Sequence, residues 1–336
     1  MATYKEIHGT NIEVLSSDPP APKEGEMWYN TTSNVLKGFI ISSGAWSTGG
    51  SMSTARENLG GAGTKTAALG FGGYVDGTGK TAVTEQYNGT SWTGKPNMNT
   101  AATHARAGVG TTSAALSCNA SGNPSYPQGG GTELWNGSSW TAKPVINLQR
   151  SSSGTCGTST AALIFGGAGD NSGDGPATET WNGSTWTASP NGLNSGSDSM
   201  AGAGTTTAGL CIGGDRSPNF RATERWNGSS WTTSTLMPIG LSKSAGGGTA
   251  STSALIFGGN GDPGPTGTTT TLTCSGTTWA QVGNLLSTNR YASGCASSNS
   301  NGLSFGGKAS TPGPPNASSA QTQSFSSGPK TVTVTS

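Results

Sequence analysis

Apolar positions in this chain are sparse and fall into two kinds of short run that alternate along it. One kind has no alternation: AALGFGG from Ala67, AALIFGG from Ala161, AGLCIGG from Ala208, SALIFGG from Ser253 and NGLSFGG from Asn301. AALSCNA from Ala114 is a variant that lacks the Gly pair. Four or five apolar residues bounded by glycine are too few for a helix and predict a strand buried on both faces. The other kind is a ten-residue phrase: TEQYNGTSWT at Thr84, TELWNGSSWT at Thr132, TETWNGSTWT at Thr178 and TERWNGSSWT at Thr223, with a worn copy, TLTCSGTTWA, at Thr271. Asn-Gly between two strand-like runs predicts a hairpin with a type I′ turn. The two aromatics of a phrase then share one face, diagonal across the ladder, and pack on the adjacent sheet.

The second Trp of each phrase sets a ruler: Trp92, Trp140, Trp186, Trp231 and Trp279 stand 45 to 48 residues apart. Each interval has room for four strands. A Gly/Ser/Thr-rich stretch such as SSSGTCGTS comes first, small enough for a crowded position around a central axis; the buried strand and the hairpin arms follow. Such a unit cannot bury its faces alone, so it must repeat, and the phrase is a building element. The Gly pairs (Gly72-Gly73, Gly166-Gly167, Gly213-Gly214, Gly258-Gly259, Gly306-Gly307) and the aromatic pairs (Tyr87/Trp92, Trp135/Trp140, Trp181/Trp186, Trp226/Trp231) make the chain from about residue 50 onward resemble the kelch-type β-propeller. The resemblance implies an all-β, kelch-like β-propeller and says almost nothing about function. Six repeats end near Trp92, Trp140, Trp186, Trp231, Trp279 and Val334. Trp46 lies one period before Trp92, so the count points to seven blades, with six blades plus an N-terminal β module as the alternative.

The segment SSDPPAPKEGEMWYNTTSNVLKGFIISSGAW departs from the repeats. Glu24-Gly25, Trp28 to Thr32, Leu36-Lys37 and Ala45-Trp46 resemble a short module of tailed-phage fibre and virion proteins, and the whole chain resembles the galactose-oxidase-like propellers of marine phage genomes. The organisation expected is an attachment arm at 1–25, a fibre-like β module or first blade at 26–48, and the propeller at 49–336. DPPAP reads as a rigid spacer.

Composition narrows the chemistry. The chain has 336 residues, 56 of them Gly, 10% charged residues and a formal net charge of +1. No electrostatic footprint for nucleic acid follows from such a balance. No apolar run approaches the ~20 residues of a membrane-spanning helix, and MATYKEIHGT has no secretory h-region. The five Cys, at 118, 156, 211, 274 and 295, are odd in number, unpaired in spacing and set in apolar stretches, so free buried thiols are expected. A copper radical oxidase needs more than His8 and His104. GSTW at Gly183 matches the end of a sialidase Asp box, but Trp181 stands at the Asp position. GTGKT at Gly77 lacks the first P-loop glycine, since position 74 is Tyr74. Asp170 and Asp174 in DNSGDG are a weak Ca²⁺ candidate, because Trp181 replaces the bidentate Glu of a calcium loop. The sequons at Asn88, Asn136, Asn182 and Asn227 read as turn residues, and Glu85, Glu133, Glu179 and Glu224 as repeated structural acceptors.

No catalytic set and no cofactor are expected. The loops after the buried strands all differ, whereas the Asn-Gly tips at the other end are uniform, which is the pattern of a binding scaffold. Tyr74, Asp76, Tyr126, Asp170, Asp174, Arg216, Phe220 and Asp262 are the ligand-face candidates there. The function expected is a virion structural protein on a tail or capsid appendage, present in several copies or as a homo-oligomer. Its N-terminal arm would contact other virion proteins, and its loop face a host surface glycan or a neighbouring virion protein. The alternatives are a glycan-acting hydrolase and a cellular kelch interaction module.

Overall fold

The computed structural model describes residues 12–102, 107–120, 131–169, 173–215, 220–261, 267–285, 289–291, 294–310 and 317–334. Every regular element among them is a β-strand, and the fold is all-β and propeller-like. Two compact units are present: Ala45–Ser326, and Met1–Gly44 together with Ser327–Ser336.

The larger unit repeats one antiparallel four-stranded sheet. The first is Gly60–Thr64, Ala67–Phe71, Thr84–Tyr87 and Trp92–Lys95 in spatial order. The second is Ala107–Gly110, Ala115–Ala120, Gly131–Trp135 and Trp140–Lys143; the third is Gly154–Gly157, Ala162–Phe165, Thr178–Trp181 and Trp186–Ala188. The fourth is Ala201–Gly204, Gly209–Ile212, Thr223–Trp226 and Trp231–Thr233; the fifth is Ala245–Ala250, Ser253–Phe257, Thr271–Ser275 and Thr278–Val282. A sixth sheet runs Gly294–Ser298, Asn301–Phe305, residues 322–326 of Thr322–Thr333, and residues 45–49 of Val35–Gly49. The innermost strands of these six sheets neighbour one another in a closed cycle, the sixth beside the first. Glycine permits that approach: a Cβ on Gly108 would meet the carbonyl oxygen of Gly61 at 2.6 Å.

The second strand of each sheet explains its unbroken apolar run. In the third sheet, Ala162 and Ile164 pack with Leu116 and Cys118 of the second, while Leu163 and Phe165 pack with Cys211 and Trp226 of the fourth. Both faces are buried, so polar alternation has no place. The Gly pair that follows has positive φ at both residues, 62° and 106° at Gly166 and Gly167. Two consecutive left-handed residues exclude side chains without strain.

Tryptophans join the sheets. Trp186 lies over Trp181 with centroids 5.3 Å apart, and Trp231 meets Phe165 of the preceding sheet at 4.9 Å. The indole N–H groups of Trp92, Trp140, Trp186 and Trp231 donate across the joint to Thr322, Thr84, Thr132 and Thr178, each at 2.8–3.1 Å. Where the sequence suggests a separate sheet around Trp46, the structure uses this residue in the same role: it is buried, touches Phe257 and donates to Thr271 Oγ1 at 2.9 Å. The joint between fourth and fifth sheets differs. Trp279 is half-buried there, Thr223 Oγ1 donates to Thr235 O, and Arg225 reaches across to Ser251 O and Gly276 O.

Two details of the hairpins correct the sequence expectation. Trp181 and Trp186 are directly opposed, not diagonal. They flank a four-residue loop instead of a two-residue type I′ turn, and among its residues Gly183 alone takes positive φ, 94°. The physical reason is the Asn side chain: Asn182 Oδ1 accepts the N–H groups of Ser184 and Thr185, both at 2.9 Å, which organises a wider turn. The worn copy does close in two residues, with Ser275 opposite Thr278.

In the smaller unit, Glu13–Leu15 pairs parallel to Met27–Asn30, which pairs antiparallel with residues 35–38. Asp18 is its hub. One carboxylate oxygen accepts from Trp28 Nε1, Asn30 Nδ2 and Lys37 Nζ, and these contacts, Lys37 foremost, hold Asp18 below the usual carboxylate range.

Trp186→Phe removes the bond to Thr132 and the pyrrole part of a buried indole. We expect a loss of about 2 kcal/mol by urea unfolding, cavity included, and a smaller loss from Thr132→Val in that background than in wild type, as one shared bond requires.

Candidate functional site

The loops that leave the second strands and those that enter the innermost strands meet at one end of the larger unit. Leaving and entering loops pair there as short ribbons, Arg150–Ser151 with Ala168–Gly169, Leu241–Ser242 with Asn260–Gly261, and Asn289–Tyr291 with Lys308–Ser310, while the loop after Phe71 folds on itself, Tyr74–Val75 with Gly79–Lys80. Glu57 and Tyr74 exchange both backbone hydrogen bonds, and Asp198 pairs with Asp215.

Of the residues expected on this face, three are described with their side chains. Tyr74 is exposed at the start of its ribbon. Asp76 is exposed and accepts the backbone N–H of Ser318, tying the first sheet's loop to the sixth. Phe220 is half-buried, and its carbonyl accepts from Leu241 N–H. Asp174 lies in the strand Gly173–Asp174, opposite Ala168, with its side chain outside the described set. Tyr126, Asp170, Arg216 and Asp262 lie outside the described residues, as does the Ca²⁺ candidate formed by Asp170 with the Asp174 side chain. Among the described residues no group of three or more His, Cys, Asp or Glu could hold a metal ion. Other carboxylates here form ion pairs: Glu57 with Lys308 at 3.4 Å and Asp215 with Lys243 at 3.8 Å.

The repeated glutamates are structural acceptors. Each takes the N–H groups of the linker entering its own sheet. Glu133 accepts from the backbone and side chain of Asn99 and from Thr100 N–H; Glu224 accepts both nitrogens of Asn194. Glu179 accepts from Asn147, Leu148 and the Arg150 guanidinium, the last at 2.7 Å. Glu85 accepts from Ser53 N–H and pairs with Arg56 at 2.8 Å. Both arginines are buried; desolvation pulls Arg56 down to about 10 against the opposing pull of Glu85. Sequence reasoning passed over these arginines. Their signal was the Asn or Ser donor followed three residues later by Arg, at Ser53/Arg56 and Asn147/Arg150.

Along the axis of the cycle, the innermost strands line a cavity of about 130 Å³. Its walls are glycine, alanine, serine and threonine with Leu59, Val109, Cys156 and Met200, and no charged side chain is among the described lining residues. Cys118 and Cys156 are buried thiols, pushed up to about 12 by desolvation, and Cys211 and Cys274 are buried as well. Cys295 has no described side chain.

No family model matches the chain, and no curated protein matches it in sequence.

Glu179→Gln should cost about 3–5 kcal/mol, because Arg150 is left charged and uncompensated in the interior. The pH dependence follows from the same contacts. Burial alone would push the Glu179 carboxyl up, but Asn147, Arg150 and Leu148 together hold it below its ordinary 4.5. The group therefore stabilises the fold fully above about pH 4.5, and that contribution is lost as pH falls through the lowered folded value. Acid melts of wild type and Glu179→Gln should converge.

Proposed function

We propose that the larger unit is a six-bladed, kelch-type β-propeller, closed by residues 45–49 as the outer strand of the last blade. We propose further that the protein is a structural component of a tailed-phage virion, carried in several copies on a tail or capsid appendage. Its variable loop face contacts a host surface glycan or a neighbouring virion protein. The smaller unit, which holds the fibre-like phrase, supplies attachment to the particle.

The observation that supports a binding scaffold is the contrast between the two ends of the sheets. At one end the Asn-Gly tips repeat the same hydrogen bonds at Asn88, Asn136, Asn182 and Asn227. At the other, each loop differs in length and chemistry, from Tyr74 and Asp76 to Phe220. The attachment reading is favoured by the EGEMWYNTTSNVLK phrase, whose Trp28, Asn30 and Lys37 converge on Asp18 in a small sheet of their own.

A chain starting at Ala45 keeps the closing strand and should melt cooperatively while failing to enter particles, as read by peptide mass spectrometry of purified virions. Normal incorporation of this truncation removes the attachment role; absence of the full-length protein from virions removes the viral reading altogether. Tyr74→Ala combined with Phe220→Ala should weaken retention on host-surface polysaccharide without lowering the melting temperature.

A further inference from the structure

The uniform tips carry a chemistry that the binding reading does not use. Each is an exposed Asn followed by Gly: Asn88-Gly89, Asn136-Gly137, Asn182-Gly183 and Asn227-Gly228. In every one the Asn side-chain carbonyl oxygen receives two backbone N–H groups, from the second and third residues downstream, at 2.8–3.0 Å. The following nitrogen belongs to glycine, which has no Cβ to obstruct it.

We propose that these four turns are sites of self-catalysed deamidation, converting a neutral face of the protein into an acidic one. The Gly backbone nitrogen attacks the Asn Cγ, forming a C–N bond and giving its proton to solvent. The Cγ–Nδ2 bond breaks, and ammonia leaves with a proton taken from water. The resulting succinimide is opened by a second water at either carbonyl, to give Asp or isoaspartate. The net change is amide plus water to acid plus ammonia, with no oxidant or reductant. Negative charge develops on the Asn Oδ1 during the attack, and that oxygen already faces two backbone donors, the arrangement that stabilises an oxyanion.

The product is accommodated in the turn. A carboxylate at the same position keeps an acceptor for both N–H groups, and a charged acceptor binds them more strongly. The charge change is large for its surroundings, since the turns at this end carry no carboxylate, and Lys65 and the Arg225 guanidinium on Ser251 and Gly276 are the ionisable groups there among those described.

The chain contains its own controls. Asn260-Gly261 and Asn301-Gly302 have the same dipeptide in β-ladders. Asn260 Oδ1 is buried and receives no donor from the described residues. Dipeptide chemistry alone would make all of these sites react alike, whereas the turn geometry singles out the four tips.

The test is incubation of the folded protein at mildly alkaline pH, with peptide mapping for the mass gain of an amide becoming an acid and enzymatic methylation to count isoaspartate. Asn88, Asn136, Asn182 and Asn227 should react about tenfold faster than Asn260 and Asn301, the effect expected of two stabilising hydrogen bonds on the attacked carbonyl. In urea the difference should vanish. A variant with all four changed, Asn→Asp, should melt with wild-type cooperativity and run as a more acidic species. Equal or slower reaction at the tips, or collapse of the Asp variant, overturns the proposal.

Discussion

The architecture depends on one indole placed between two sheets. Trp231 shows how: it meets Trp226 on its own hairpin at a tilt, packs T-shaped with Phe165 of the preceding sheet, and its N–H ends on Thr178 of that same sheet. Area burial supplies most of the stabilisation and is indifferent to exact orientation. The hydrogen bond is the orienting term, because an indole N–H buried without a partner costs more than the bond itself returns. Thr at the start of the third strand and Trp at the start of the fourth therefore specify the angle between neighbours. Repetition of that angle brings the innermost strands round into a cycle.

Polar groups inside such a structure need equally specific seats. The linkers that cross from one sheet to the next must bury N–H groups, and the repeated glutamates accept them. In two sheets an arginine is added, which turns an acceptor into a buried ion pair. Among the described residues, Arg56 pairs with Glu85 and Arg150 with Glu179, and neither has a second carboxylate as an ion-pair partner. These pairs are weak sources of net stability and strong sources of specificity against a wrongly seated linker, since a misplaced guanidinium would be stranded.

Much of this was legible in the sequence because it is local or repeated. The unbroken AALIFGG run foretold a strand covered on both sides, and Ile164 and Leu163 do face opposite neighbours. The recurrence of Glu179 and its counterparts foretold a structural acceptor. The misjudged parts are those in which a side chain overrides the local rule or a partner is remote in sequence. Asn182 fits a two-residue turn by dipeptide preference, yet its own carbonyl oxygen builds a wider one. Trp46 stands one period before Trp92, and spacing alone leaves its place open between a further repeat and the outer strand of the last; its hydrogen-bond partner Thr271 is 225 residues away, a pairing no local pattern can announce. Asp18 escaped notice because Trp28, Asn30 and Lys37 converge on it through the pleat of two strands. The loop-face residues were chosen for exposure, and Asp76 shows the limit of that criterion: an exposed carboxylate can be committed to a neighbouring loop.

The seam of the sixth sheet sets the order of events during synthesis. Ser47 leaves the ribosome before its hydroxyl partner, Ser324, which follows 277 positions later. The first strip of the seam must therefore wait, unpaired, while five sheets are made. Nascent chains arrested before the last strands would carry five finished sheets and an open gap, so closure of the ring waits on the strand that holds Ser324.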